Sequence, residues 1–323
     1  VKKIIASNIL DDFLAYLKTT KGSSDTTIRE YYYDIRTFLR FILVRKNYVK
    51  DVEFNEVDID EIDIEILKSV DKQDIYAFNS FLENQKNNSN KTKYRKISAI
   101  RTFFNYLSTK IDVIDFNPLE NIDMPKIEKT VPVYLTLEEA VDLLKTVQSS
   151  KSKFKYRDYA IITLFLNCGM RLSELSNLNI DDIKKDNTLV VKGKGNKERT
   201  IYLNQACLDA LNLYYEHRPK VDDKALFLSM RNNRMGNRAI QKMVEKYVKL
   251  TGLDPDKYTV HKLRHTAATL MYQHGNADIR ALQEVLGHES VTTTQIYTHI
   301  NNKHLKATIE NNPLSKINIS EEI

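Results

Sequence analysis

The chain has 323 residues, 42% of them hydrophobic and 28% charged, with a net charge of +6 at neutral pH. Such a composition is that of a globular chain of one large or two modest domains, and two cysteines are too few for a disulfide framework. No run approaches the length of a membrane span, and Val1-Lys2-Lys3-Ile4-Ile5, followed closely by Asp11 and Asp12, lacks the apolar core of a secretory signal; a cytoplasmic location without membrane contact is expected.

Charge is unevenly placed. The first 130 residues are balanced, and the whole basic excess falls after them. Within the first part the acids concentrate between Asp51 and Asp74, whereas Lys86, Lys91, Lys93, Arg95, Lys96 and Arg101 fall in a run without an acid. A basic helix face inside a neutral domain is one consequence.

Residues 1–115 have apolar spacings of three and four and almost no glycine, which predicts four helices, over 9–18, 26–46, 72–85 and 90–108. Asp25 and Asp71 are the expected caps of the second and third. In the fourth, Ile97, Ile100, Phe103, Phe104 and Leu107 form a core stripe, with Lys91 and Arg95 opposite it on a face that is either solvated or turned to phosphates. Between Asp51 and Asp74, Val52, Phe54, Val57, Ile59, Ile62, Ile64 and Ile66 nearly alternate with acids, a pattern that predicts a short exposed strand or a flexible acidic loop. Pro118, Pro125 and Pro132 then lie among charged residues without periodicity, which predicts an interdomain linker over 116–132 and a boundary near residue 128.

The second domain is expected over 133–300, with 301–323 as a tail. Thr136 and Glu139 form a capping box for a helix running to about Val147. Tyr156 to Asn167 is nearly all apolar and predicts a buried central helix, ending at Gly169 with Arg171 immediately beyond. Glu174, three residues further, is placed to orient neighbouring cations. Thr188–Lys192 and Arg199–Leu203 are strand-like and flank a turn in which Gly193 and Gly195 bracket Lys194. Two amphipathic helices follow, over 204–217 and 237–250; Arg231, Arg234, Arg238 and Lys242 are candidates to lie along a polyanion.

The last stretch gathers the chemistry. After Thr259, an apolar-periodic run ending at Gly275 puts His261 and Arg264 three residues apart on one helical face. Asp278 caps a second run that halts at Gly287, leaving His288 on the turn, and Ser290 caps a third that delivers Tyr297. Cationic and imidazole groups without a carboxylate suit a ligand of concentrated negative charge, because a guanidinium grips phosphate through two parallel N–H donors. A phenol delivered to a phosphodiester could attack phosphorus without a metal if fixed cations neutralise the transition state. The blander reading of each histidine is satisfied structure. The His261 and His265 pair has zinc-like spacing, but Lys262 stands where a metalloprotease helix carries glutamate, and no metal or other cofactor is expected.

His261-Lys-Leu-Arg264-His265, Leu286-Gly287-His288 and Thr293-Thr-Gln-Ile-Tyr297-Thr-His, with Cys168-Gly-Met-Arg171-Leu-Ser-Glu174-Leu and Val191-Lys-Gly-Lys194-Gly-Asn-Lys197-Glu-Arg199 upstream, resemble in order and content the signature of the tyrosine recombinases, most closely the Xer branch. The resemblance implies a mainly α fold with a small β-hairpin. An N-terminal helical, SAM-like core-binding domain would close on DNA as half of a clamp, with the catalytic domain as the other half. It implies a nucleophile, Tyr297, that forms a 3′-phosphotyrosyl link, with Arg171 and Arg264 neutralising the phosphate. His288 would donate a hydrogen bond to it, His261 would assist proton transfer, and Lys194 rather than Lys197 would protonate the leaving oxygen. Glu174 supports the cations, and Lys91, Arg95, Arg238 and Lys242 become candidate DNA contacts. The partners implied are double-stranded DNA, a homo- or hetero-tetramer on two sites and a septal DNA translocase, with the tail as a helix passed between subunits.

Three other readings stay open. A silent DNA-binding protein is opposed by the filling of all six expected catalytic positions, and a type IB topoisomerase by motif order and the short hairpin. An integrase or transposase of a mobile element would move its own element, whereas a resolvase of chromosome dimers would act with a septal DNA translocase as its partner.

Overall fold

The computed structural model describes residues 6–60, 62–127, 132–192, 198–275, 278–287 and 294. The chain divides into two compact units, 1–129 and 130–323. Among the described residues the architecture is mainly helical with one two-stranded antiparallel sheet, the fold class expected from the sequence.

The described part of the first unit holds α1 (Ala6–Thr19), α2 (Asp25–Arg45), α3 (Ile64–Lys68), α4 (Lys72–Asn84) and α5 (Asn90–Thr109). Helix α2 is capped by Ser24, whose side chain accepts from Thr27 N, one residue earlier than the aspartate favoured on sequence. Helix α4 opens on a reciprocal box between Asp71 and Asp74. The core is aromatic. Phe13 meets Phe103 at 5.2 Å and Phe38 meets Phe78 at 5.1 Å, both edge-on, contacts that add about 0.5–1.5 kcal/mol each beyond the area buried.

The acidic stretch is not an exposed strand or a loose loop. Val57, Ile59, Ile62, Ile66, Leu67 and Val70 are buried in the first unit's core. Short turns and α3 do this while leaving Glu53, Glu56, Asp58, Asp60 and Glu65 exposed. Alternation in the sequence thus reflects one-sided burial of a compact turn, and Asp63 caps α3 by accepting from Ile66 N. Residues 116–124, read from their prolines as extended linker, bury Leu119 and Ile122 in the same core.

The second unit is arranged around α7 (Lys155–Cys168), whose residues are buried on nearly every side. Against it pack α6 (Leu137–Gln148), α9 (Gln205–His217) and α11 (Val260–His274). The Thr136–Glu139 box is present at the start of α6. A buried pair, Arg157 and Asp158, with Tyr247 donating to Asp158 Oδ2 at 3.0 Å, ties α7 to α10 (Asn237–Leu250). Helix α8 (Leu172–Ser176) follows the left-handed cap at Gly169. Strands β1 (Thr188–Lys192) and β2 (Glu198–Tyr202) pair with Val191 opposite Arg199. Helix α12 (Ile279–Leu286) begins at the Asp278 cap and ends at Gly287, also left-handed. No described helix is long and apolar enough to cross a membrane.

Candidate active site

Helix α7 stops because Gly169 takes φ +57°, a conformation costly for any residue with a Cβ. The chain turns there into α8, with Arg171 at its N-cap. The Arg171 guanidinium donates to Glu174 Oε1 at 2.8 Å and to the Gly287 carbonyl at 2.6 Å, and its backbone N–H donates to Glu174 Oε2 at 2.7 Å.

Arg264 reaches the same place from α11. It is 5% exposed and donates to the Gly169 carbonyl at 2.5 Å and to the Leu286 carbonyl at 2.7 Å. Two guanidinium groups from distant parts of the sequence therefore meet at the C-terminal end of α12, where the helix dipole and the last carbonyls favour cations. Leu286, Gly287 and His288 are consecutive, so the cluster abuts the turn that leads to His288.

Glu174 is almost fully buried and accepts from a third guanidinium, that of Arg199 on β2, at 2.5 and 3.1 Å. Burial alone would raise its pKa. Hydrogen bonds from Arg199 and Arg171 outweigh burial and hold the carboxyl below its usual range. The sequence placed Arg199 in a motif but gave it no role. The available signal is the strand's period of two, since Arg199 lies on the same side of β2 as buried Ile201.

Arg171, His261 and Arg264 line one open cleft of about 1010 Å³. Across it stand Asn237, Arg238 and Gln241 of α10, with the carboxylates of Glu245 and Asp256 further along. His261 is exposed and its ring meets that of His265 edge-on at 4.6 Å. Lys242 is exposed on α10 outside the cleft wall. Arg234, a candidate polyanion contact on sequence, is instead bound to the Ser176 and Leu178 carbonyls and to Asn179. In the first unit Lys91 is exposed, while Arg95 is paired with Glu30 and Asp34, at 2.9 and 2.5 Å. Lys194, Lys197, His288 and Tyr297 lie outside the described residues, as do Ser290 and the tail 301–323. Thr294, three residues before Tyr297, is described and fully buried.

Residues 133–304 match the phage integrase family. The chain is 49% identical over 312 residues to a protein named tyrosine recombinase XerC from Caldanaerobacter subterraneus subsp. tengcongensis, covering 95% of this chain and 87% of that relative. It is 34% identical to a protein of the same name from Thermodesulfovibrio yellowstonii, covering 95% and 97%. Among solved structures, the fold is shared with the XerH site-specific recombinase bound to palindromic difH substrate in a post-cleavage complex (TM-score 0.71, 24% identity, 94% and 83% covered). It is shared also with a lambda integrase tetramer bound to a Holliday junction (TM-score 0.65, 18% identity, 90% and 79% covered). The chain belongs to the phage integrase family, the tyrosine recombinases, and its activity is site-specific DNA strand transfer.

Proposed function

We propose that this recombinase cuts DNA with Tyr297 and acts as an Xer-type resolvase of chromosome dimers in the cytoplasm. The observation that carries the reading is the meeting of Arg171 and Arg264 at the end of α12. Fixed cations aimed where charge develops are the largest single contribution in phosphoryl-type chemistry, and they make a metal unnecessary.

In this mechanism the Tyr297 hydroxyl attacks the scissile phosphorus, the bond to the 5′ oxygen breaks, and a 3′-phosphotyrosyl link forms. His261 assists removal of the phenol proton, and Lys194 protonates the departing 5′ oxygen. Arg171 and Arg264 neutralise the non-bridging oxygens, and His288 donates to the same phosphate. A 5′ hydroxyl of a partner strand then attacks the phosphotyrosine, so the bond energy is retained and no nucleotide cofactor is used.

The first unit serves as the second jaw on double-stranded DNA, with Lys91 at its surface, and Arg238 and Lys242 extend the contact along α10. Arg95 contributes only if it leaves its carboxylate partners. Two duplexes must be held together, so the acting species is a tetramer of one or two subunit types, joined through 301–323 and answering to a septal DNA translocase. The XerC names of the relatives support the Xer assignment.

A nicked suicide duplex tests the chemistry. Tyr297→Phe is expected to keep DNA binding and lose the protein-linked strand on a denaturing gel; a linked strand that persists refutes the assignment. Mapping protein-linked sites across the host genome tests the role. A single locus opposite the replication origin is expected, whereas element ends would establish an integrase.

A further inference from the structure

Arg199 stands behind the cleft rather than in its wall, and no role in the chemistry above falls to it. Its side chain nevertheless joins the elements that carry that chemistry. The guanidinium fork donates Nη1 and Nη2 to the two oxygens of Glu174, and Nε donates to the Val285 carbonyl at 3.2 Å. Glu174 is thereby completed: Oε1 accepts from Arg171 and Arg199, Oε2 from the Arg171 backbone and Arg199. The stem of Arg199 lies so close to Gly287 that a Cβ there would fall 2.8 Å from Cδ.

Three consecutive carbonyls at the end of α12 thus take guanidinium donors from three elements: Val285 from Arg199 on β2, Leu286 from Arg264 on α11 and Gly287 from Arg171 before α8. Arg264 and Arg171 line the cleft. Arg199 fixes both the carboxylate that orients Arg171 and the helix end from which the chain passes to His288. Lys194 lies five residues before it in the sequence.

We propose that Arg199 is a positioning residue for strand cleavage, setting Arg171 through Glu174 and the end of α12 through Val285. The inference rests on the proposed roles of Arg171 and Tyr297. A lysine cannot replace it, because one ammonium offers a point charge where a planar fork makes three bonds in fixed directions. Since a misplacement of about 1 Å at a reacting centre can cost on the order of a hundredfold in rate, the loss should appear in the chemical step.

The test uses the full chain and a nicked suicide duplex built on the site that the parent cleaves. Arg199→Met keeps the stem against Gly287, and Arg199→Lys keeps stem and charge. Both are expected to bind the duplex within about threefold of the parent and to form the covalent complex about a hundredfold more slowly. On a Glu174→Gln background, Arg199→Met should slow cleavage further by clearly less than it slows the parent, because the part of its action that runs through that carboxylate is already gone and only the bond to Val285 is left to lose. Cleavage by both variants within about threefold of the parent overturns the proposal, as does full recovery by Arg199→Lys or an undiminished effect on the Glu174→Gln background. Arg171→Ala is measured alongside: if it cleaves at the parent rate the functional reading itself fails, an outcome separate from anything Arg199 does.

Discussion

Arg171 and Arg264 donate to adjacent carbonyls, Gly287 and Leu286, although they come from elements on either side of the β-hairpin. A helix end normally holds its last carbonyls against water or a cap. Here permanent cations hold it, and two of them, Arg171 and Arg264, also line the cleft.

This shared duty predicts that the two arginines differ in what their loss does to the fold. Arg264 is 5% exposed and bonds the Gly169 and Leu286 carbonyls. Arg264→Ala strips both of their donors, at about 1–3 kcal/mol for each group left unsatisfied. The Arg171 side chain is 36% exposed and its partner Glu174 keeps Arg199, so Arg171→Ala should unfold close to the parent temperature. Both variants should slow covalent-complex formation by roughly 10²–10³-fold. Thermal unfolding beside single-turnover cleavage checks this, and equal unfolding temperatures for the two variants would contradict it.

Glu174 sets a second expectation, in pH. Burial pushes its pKa up, but bonds from Arg199 and Arg171 prevail and hold it below the ordinary carboxylate value, about 4.3 in an unfolded chain. A depressed native pKa gives stability that is fully present above the unfolded value and is lost as pH falls through the native one. The difference in urea midpoint between parent and Glu174→Gln should therefore be flat from neutral pH down to about 5 and narrow below about 4. A gap that closes between pH 5 and 7 would mean the carboxyl is not held ionised by its arginines.

Much of this arrangement is legible in the sequence, and the limits are physical. Capping residues and apolar periodicity locate α4 to α7 and α9 to α12 closely because those signals are local. The Asp51–Asp74 segment misleads because near-alternation of apolar and acidic residues also arises when short turns and a short helix bury one side, here through Val57, Ile59, Ile62 and Ile66. At the site, Arg171, His261 and Arg264 are recognisable from their motif, but the third guanidinium is not. Its meaning depends on Glu174 and Val285, which only tertiary contact brings to it. Arg95 makes the same point in reverse: its helical face is as expected, and Glu30 and Asp34 on α2 occupy its charge.

Asp34 itself gives a third prediction. It is 1% exposed and accepts from Arg95 and Lys96. Asp34→Ala leaves two cations without their buried partner, and breaking a buried pair from one side costs about 3–5 kcal/mol. Urea titration of the full chain should show a loss of this order, and Asp34→Asn should recover part of it. A loss under about 1 kcal/mol would show that solvent already satisfies Arg95 and Lys96.

Gly169 and Gly22 provide a matched pair for the last prediction. Both take φ near +60°, and both should lose roughly 1–2 kcal/mol on replacement by alanine from backbone conformation alone. Around Gly22 there is nothing within 4 Å of a new Cβ, so Gly22→Ala should lower stability by that amount and leave cleavage unchanged. At Gly169 a Cβ would fall 2.8 Å from Leu286 Cδ2. The carbonyls of Gly169 and Leu286 both accept from Arg264. Pushing them apart moves the guanidinium, so Gly169→Ala should slow covalent-complex formation by about tenfold or more beyond its effect on stability, by the sensitivity of reacting groups to position. Equal cleavage rates for the two alanine variants, compared at a temperature where both are folded, would show that Arg264 does not depend on the spacing between α7 and α12.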